Sequence, residues 1–438
     1  MSQYLAVFSI SILICAAGEW ACRRSRLAGV LLCCLSVAFP VVLAGARDYT
    51  VGTDIATYGN YVFRGACNAR RLRSFLRTQS EIDLLYKGLA YAVSRFTNNP
   101  HLFYLVTALI ICGFTMAGLW YYRRWCSITL GWACFLFLFY GDTLNTMRQC
   151  LALAVVFAAF PFFLEKKYLL FAVFNVAAIL FHATGILALA LPVLFLVMKK
   201  MPPRWLQFFL IIACMGVILF YSPLLRIVLN MNLLPAKFAR YMAKGVAVAL
   251  NPTILRLPFL LPVILYYDRF CGFEEISGDS ALAGSARITG NEDTAEDPET
   301  AGKKGFWEDR SGTQVLGMFV VIMLLLEICT VQLRSVRPAL YRISYYFGYY
   351  RFIAYSRLVR ILRRDNRAII ALALIVYLLA LWYYQNVIQG NNEIYPEVCA
   401  PDWYHRTILV MPAMPAEGQN LHGLPAQGKE GNCRTAGS

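Results

Sequence analysis

Twelve apolar runs of membrane-spanning length dominate the chain, near residues 4–22, 27–46, 102–122, 126–141, 147–164, 168–182, 184–198, 205–221, 252–267, 314–333, 340–356 and 368–388. A bilayer core about 30 Å thick takes about 20 apolar residues per helix, so such runs use more than half of the 438 residues. Composition agrees, with 59% hydrophobic and 15% charged residues, against about 45–50% and about 25% in soluble domains. A soluble globule is excluded. The expected fold is all-α: a polytopic integral membrane protein with about twelve transmembrane helices.

The 41 Lys+Arg exceed the 25 Asp+Glu by 16. In a soluble protein this would suggest nucleic acid. Here the positive-inside bias and an anionic lipid-linked ligand explain it instead, and no nucleic-acid partner is expected. Basic clusters fall at Arg23/Arg24/Arg26, Arg123/Arg124, Lys166/Lys167, Lys199/Lys200/Arg204, Arg269 with Lys303/Lys304/Arg310, and Arg357/Arg360/Arg363/Arg364/Arg367. Twelve crossings with both termini outside put every one of them on the cytoplasmic side. The exception is the outer stretch 47–100, which carries Arg47, Arg64, Arg70, Arg71, Arg73, Arg77, Lys87 and Arg95. Met1–Trp20 has no basic residues ahead of its apolar run, which suits a retained first span rather than a signal peptide. Of 14 cysteines, most sit inside apolar runs and none forms a Cys-x-x-Cys pair, so they read as small packing residues.

The expected organisation is two N-terminal spans (1–46), an outer loop (47–100), a transmembrane core (101–267), a disordered acidic cytoplasmic loop (268–313), C-terminal spans (314–390) and a flexible outer tail (391–438). In the tail, Cys399 and Cys433 can pair in an oxidising compartment. Four polar clusters land on the outer side. In Arg47–Asp54, Gly52 permits a tight turn, Thr53 or Asp54 can cap a short helix, and Asp54 and Tyr58 lie one turn apart. In Asp142–Gln149, Asn145, Arg148 and Gln149 are spaced to share a helix face at a helix N-terminus. An added guanidinium makes that a seat for a diphosphate. His182 joins two runs and has a general base's unperturbed pKa, near about 6.5. Arg334, Arg337, Tyr341, Arg342, Tyr345, Tyr346 and Arg351 form the last cluster, in which charges inside a span should face a polar cavity. Each cluster has a plainer explanation as a cap, a snorkelling arginine or an aromatic belt, but their coincidence on one side describes an outward cavity. No Walker loop, dinucleotide fingerprint, metal-ligand pair or Ser/His/Asp arrangement is visible, so no cofactor or metal is expected.

Arg47…Val51-Gly52-Thr53-Asp54…Tyr58, Asn145…Met147-Arg148-Gln149…Leu151-Ala152, Phe181-His182 and Arg342-Ile343-Ser344-Tyr345-Tyr346-Phe347 resemble, in order and spacing, the EpsG family of bacterial polysaccharide-polymerase-like membrane proteins. The resemblance covers roughly 47–396. Thr184 replaces a common serine, and Tyr395-Pro396 only partly matches a Pro-Tyr ending. It implies a Wzy-like, GT-C-like glycosyltransferase in the bacterial inner membrane. Such an enzyme joins undecaprenyl-diphosphate-linked repeat units outside that membrane into exopolysaccharide, capsule or O-antigen. Its expected partners are the lipid-linked glycan, membrane lipid, a chain-length regulator and a flippase. His182, Asp54 and Arg148 are the expected catalytic residues, with His182 or Asp54 taking the acceptor proton. Arg47, Tyr58, Asn145, Gln149, Arg337, Arg342 and Tyr346 are expected to bind substrate. The alternatives are an O-antigen-ligase-like transferase, a lipid-linked oligosaccharide flippase or other transporter, and a non-enzymatic assembly subunit. A transporter would place its charges near mid-membrane on helices interrupted in two matching halves.

Overall fold

The structure, a computed structural model, describes residues 2–48, 51–52, 54–78, 82–200, 212, 216, 250–273, 306–335, 338–362 and 364–393. Every element among these residues is helical. The 205–221 run, Thr53, residues 274–305, Arg337 and the 394–438 tail with Tyr395, Cys399 and Cys433 lie outside the described residues, apart from Ile212 and Gly216, which are helical.

Seven helices are long and apolar enough to cross a membrane: Ser2–Ala21, Arg26–Ala46, Pro100–Arg124, Met147–Leu164, Ala183–Lys200, Arg310–Arg334 and Asn366–Ile388. Two shorter apolar helices, Ile128–Leu138 and Tyr168–Phe181, match two further runs. Helices α1 (Ser2–Ala21) and α2 (Arg26–Ala46) form a hairpin that small residues bring close. A Cβ added at Gly29 would lie 2.0 Å from Cys22 Sγ, and one at Gly18 3.0 Å from Cys33 Sγ. Cys15, Cys33, Cys112, Cys134 and Cys150 are buried and free, which fits packing.

Between α2 and the third span lie α3 (Tyr61–Asn68), α4 (Leu72–Arg77) and α5 (Leu84–Ser94). α6 (Pro100–Tyr121) then starts on an Asn99 cap with Pro100 in its first turn, where the missing amide costs nothing. α7 (Ile128–Leu138) begins where Glu19 of α1 accepts from Ser127 Oγ at 2.8 Å and from the Thr129 amide at 2.9 Å, a carboxylate at a helix N-terminus. After the short α8 (Tyr140–Asn145), α9 (Met147–Leu164) runs through the centre. It packs between α6 and α10 (Tyr168–Phe181), ahead of α11 (Ala190–Lys200). Gly118 makes the α6–α9 approach possible, because a Cβ there would meet the Phe157 ring at 2.5 Å.

Two expected spans are broken helices. Pro252, Pro258 and Pro262 remove amide donors, and the 252–267 run divides into α12 (Leu250–Ile254), α13 (Leu257–Leu265) and α14 (Tyr267–Cys271). Beyond α15 (Arg310–Val331), the 340–356 run divides into a 3-10 segment (Pro338–Ser344), α16 (Tyr345–Gly348) and α17 (Arg351–Ile361). The break coincides with a buried ion cluster. Glu327 accepts from Arg256 Nε at 2.7 Å and lies 3.2 Å from Arg351 Nε, and a Cβ on Gly348 would come within 3.0 Å of its carboxyl group. The edges of the 268–313 segment, expected to be disordered, are also helical. Phe306–Glu308 makes a turn, and Asp309 caps α15 by accepting from the Ser311 amide at 3.0 Å. The last long helix is α18 (Arg364–Tyr383).

α6 separates two polar ends. Its first turns touch Gly45 through His101 and Asn60 through Tyr104. Its far end meets Glu165 through Tyr121, and just beyond it Arg360 donates to the Arg123 carbonyl at 3.0 Å. Twenty-two residues at 1.5 Å rise span about 33 Å, a bilayer core. The Arg123 and Arg360 clusters therefore share one end, and the residues below share the other.

Candidate active site

Arg47, at the end of α2, reaches across to the junction of α8 and α9. Its Nη1 donates to the Leu144 carbonyl at 2.6 Å and its Nη2 to Met147 Sδ at 3.0 Å, while the guanidinium lies 4.7 Å from the Tyr104 ring centre. At 3% exposure, it holds the 144–147 turn in place. Gly52 lies against the same turn with φ +95°, and a Cβ there would sit 2.7 Å from the Leu144 oxygen. No other residue type suits that position.

The strap from Arg47 to Asp54 is closed by Asn145, whose Oδ1 accepts from the Asp54 amide at 3.2 Å. Asn145 ends α8, and Thr146 (φ −94°, ψ 52°) breaks the helix before Met147 starts α9. The shared helix face expected for Asn145, Arg148 and Gln149 is thus replaced by a kink that sends them apart. Asn145 points to Asp54 and Asn392, Gln149 donates to the Arg342 carbonyl at 2.8 Å, and Arg148 faces Asp83, just ahead of α5. Asp54 precedes a π-helical turn, Ile55–Asn60, and makes no side-chain cap bond. Its carboxyl is half-buried, and burial raises its pKa against the pull of Arg342 and Arg148.

Arg148 Nη1 donates to Asp83 Oδ2 at 2.8 Å, and its guanidinium stacks 3.9 Å from the Tyr58 ring centre. Asp83, immediately before α5, also accepts from the Ala183 amide at 3.2 Å through Oδ1. One carboxylate therefore joins Arg148 to the turn that carries His182. His182 Nδ1 lies 2.6 Å from Thr184 Oγ1, which lies 3.0 Å from the Tyr346 hydroxyl. Its Nε2 makes no hydrogen bond among the described residues. Burial, Arg148 and Arg342 lower the His182 pKa, and Asp83 opposes them.

Arg342 is half-buried, and its guanidinium makes no hydrogen bond or ion pair among the described residues. Tyr345 next to it donates to Asp142 Oδ1 at 2.9 Å. Burial pushes the Asp142 carboxyl up to about 6, with Tyr345, Asn392 and the two arginines 351 and 342 holding it back. The contacts thus bring together Asp54, Tyr58, Asn145, Arg148, Gln149, His182, Arg342 and Tyr346 of the expected residues. Arg47 stands behind them as a brace, and Arg337 lies outside the described residues. Asp83 and Asn392 were not anticipated. The signal for Asp83 was an acid, with Glu81 two residues before it, at the head of an apolar helix after an arginine run. Among the described residues, no three His, Cys, Asp or Glu side chains group to hold a metal ion.

Fold and site define a polytopic helical membrane protein with an arginine-rich polar site at one end of the bundle. The chain matches the EpsG family over residues 30–396 and belongs to it, a family of polymerase-type membrane proteins of polysaccharide biosynthesis. No curated protein and no solved structure shows significant similarity to the chain.

Proposed function

We propose that the protein polymerises undecaprenyl-diphosphate-linked oligosaccharide repeat units on the outer face of the bacterial inner membrane, producing exopolysaccharide, capsule or O-antigen. Twelve crossings, a GT-C-like arrangement and both termini outside belong to the same proposal, as do a flippase that delivers the units and a chain-length regulator.

The observation that carries it is the Arg148–Asp83–Ala183 bridge, which joins the Arg148 guanidinium to the turn that carries the His182 imidazole. The acceptor hydroxyl gives its proton to His182 Nε2 and attacks the anomeric carbon of the donor. A new glycosidic C–O bond forms as the bond to the diphosphate breaks, and the diphosphate leaves with the electron pair. The Thr184 amide donates to His182 Nδ1 at 3.3 Å, which favours the Nε2–H tautomer; to accept at Nε2 the ring must take the other tautomer, in which Nδ1–H donates to Thr184 Oγ1 and the Thr184 hydroxyl donates on to Tyr346. The donors of Arg148 not used by Asp83, together with Arg342, face the diphosphate and stabilise the charge that develops on it. Asp54, whose burial makes its carboxylate more basic than usual, is the second candidate base.

The test is synthesis of a product ladder from a purified lipid-linked repeat unit in proteoliposomes. Wild-type protein should give the ladder, and Arg148→Ala and His182→Ala should not. A ladder of normal length from both variants would refute the proposal.

A further inference from the structure

Residues 55–80 contain no Asp or Glu, but Arg64, Arg70, Arg71, Arg73 and Arg77 lie within them. All five are exposed, and none of their side chains pairs with another described residue. Two cations further along, Arg95 and Lys87, serve differently. Arg95 donates to the Ala66 and Ala69 carbonyls at 2.6 and 3.2 Å, which closes the C-terminal end of α3. Lys87 donates to the Leu76 and Thr78 carbonyls at 2.7 and 3.0 Å and closes α4 in the same way. Cations at helix C-termini are favourable partners. Two cations therefore fix the short helices, and five are left facing water.

Leu72 apart, which is exposed, the larger apolar side chains of these helices turn inward. Val62, Phe63 and Ala66 are buried, Phe63 stacks on Phe103 at 5.4 Å, and Phe75 stacks on Tyr91 at 6.1 Å. A helix lying in a lipid interface does the opposite, giving its apolar face to the bilayer. On α3 the outward residues are Tyr61, Arg64 and Asn68, and on α4 Arg73 and Arg77 lie one turn apart. α3 continues without a break from the turn carrying Tyr58, the ring under Arg148. The arginine face thus begins at the candidate site and leads away from it.

We infer that this face binds a glycan bearing carboxylate sugars, the product strand as it leaves the site, and that the repeat units handled by this protein are acidic. The inference rests on the polymerase proposal above and deepens it. Arginines pair with carboxylates through two donors, and the exposed Tyr61 ring and Asn68 amide suit a sugar face and its hydroxyls.

The test uses the full chain in phosphatidylcholine nanodiscs, with fluorescent oligogalacturonate and neutral maltodextrin of matched length as probes. Oligogalacturonate should bind and weaken with added salt, and maltodextrin should not bind. The triple variant Arg64→Ala/Arg73→Ala/Arg77→Ala should lose about tenfold or more in affinity, and the corresponding triple Lys variant should keep most of it. No binding by wild type, equal binding of the two probes, or an unchanged triple variant would overturn the inference. It also fails if the triple variant loses affinity only for phosphatidylglycerol vesicles, which would make the face a lipid contact. Binding is read without turnover. Normal polymerisation without such binding would sink this inference alone, and binding without bond formation would sink the polymerase proposal alone.

Discussion

Replacing Asp83 by Asn probes the frame of the candidate site without touching Arg148 or His182. The ion pair is 2.8 Å long, with the two side chains 14% and 15% exposed. Exposed pairs contribute about 0–1 kcal/mol, and breaking a fully buried one costs about 3–5 kcal/mol. At this depth a loss of about 2 kcal/mol follows, roughly thirtyfold in rate if the geometry is needed only in the transition state. Asn keeps an oxygen for the Ala183 amide. Asp83→Ala loses that bond too, adding about 1 kcal/mol for a total of roughly 150-fold. The pH profile supplies a second readout. Asp83 raises the His182 pKa, which burial and Arg148 have lowered. Removing the carboxylate therefore lowers it further, and the acid limb of the rate profile moves to lower pH. The assay is polymer formation in proteoliposomes between about pH 5 and 8, the range in which a histidine titrates. A variant with wild-type rate and an unmoved acid limb would refute the positioning role. A fall in protein yield with the limb unmoved would show a structural role only.

Other changes follow from the same geometry. Arg148→Ala should insert normally and make no polymer, and Arg148→Lys should rescue little, because one ammonium cannot pair with Asp83, stack on Tyr58 and grip two phosphate oxygens; product length on gels checks both. His182→Ala and His182→Gln should slow single turnover by roughly 10²–10⁴-fold while donor affinity stays within about a factor of two; wild-type turnover in either moves the base to Asp54. Gly52→Ala forces a side chain to φ +95° and to 2.7 Å from the Leu144 oxygen, a strain of about 1–3 kcal/mol, so its thermal midpoint in detergent should fall; an unchanged midpoint would contradict the strap as described. Single cysteines at Arg70 and in the 274–305 segment should be labelled from outside and from inside intact cells respectively, and outside labelling of 274–305 would reverse the topology.

Much of the architecture was legible because hydropathy is a local property. Nine of the twelve runs appear as long or short apolar helices. Local chemistry also explains two that broke, since prolines divide 252–267 and Gly348 lies under the Glu327 carboxyl. The site was legible as residue types that gather at one end of the bundle, but not as roles. Arg47, Arg148 and Arg342 read alike in sequence. Only contacts about a hundred residues away show that Arg47 is held by Leu144 and Met147, while the Arg342 guanidinium makes no hydrogen bond or ion pair among the described residues. The role of Asp83 was hidden for the same reason, because its two partners lie 65 and 100 residues along the chain. The Thr146 kink falls in the polar gap between the 126–141 and 147–164 runs, but residue types alone do not say at which residue the chain turns. What imposes it is the strap from Arg47 to Asp54 lying across the turn.

The central claim is that this site makes a glycosidic bond at the expense of a lipid diphosphate. The most direct measurement counts both products in proteoliposomes supplied with a purified undecaprenyl-diphosphate-linked repeat unit: bonds formed, from product length, and free undecaprenyl diphosphate released. One diphosphate released per bond, with both lost together in Arg148→Ala, is the predicted result. Lipid-linked units that cross the bilayer intact, with no diphosphate released and no lengthened product, would contradict the claim and make the protein a transporter.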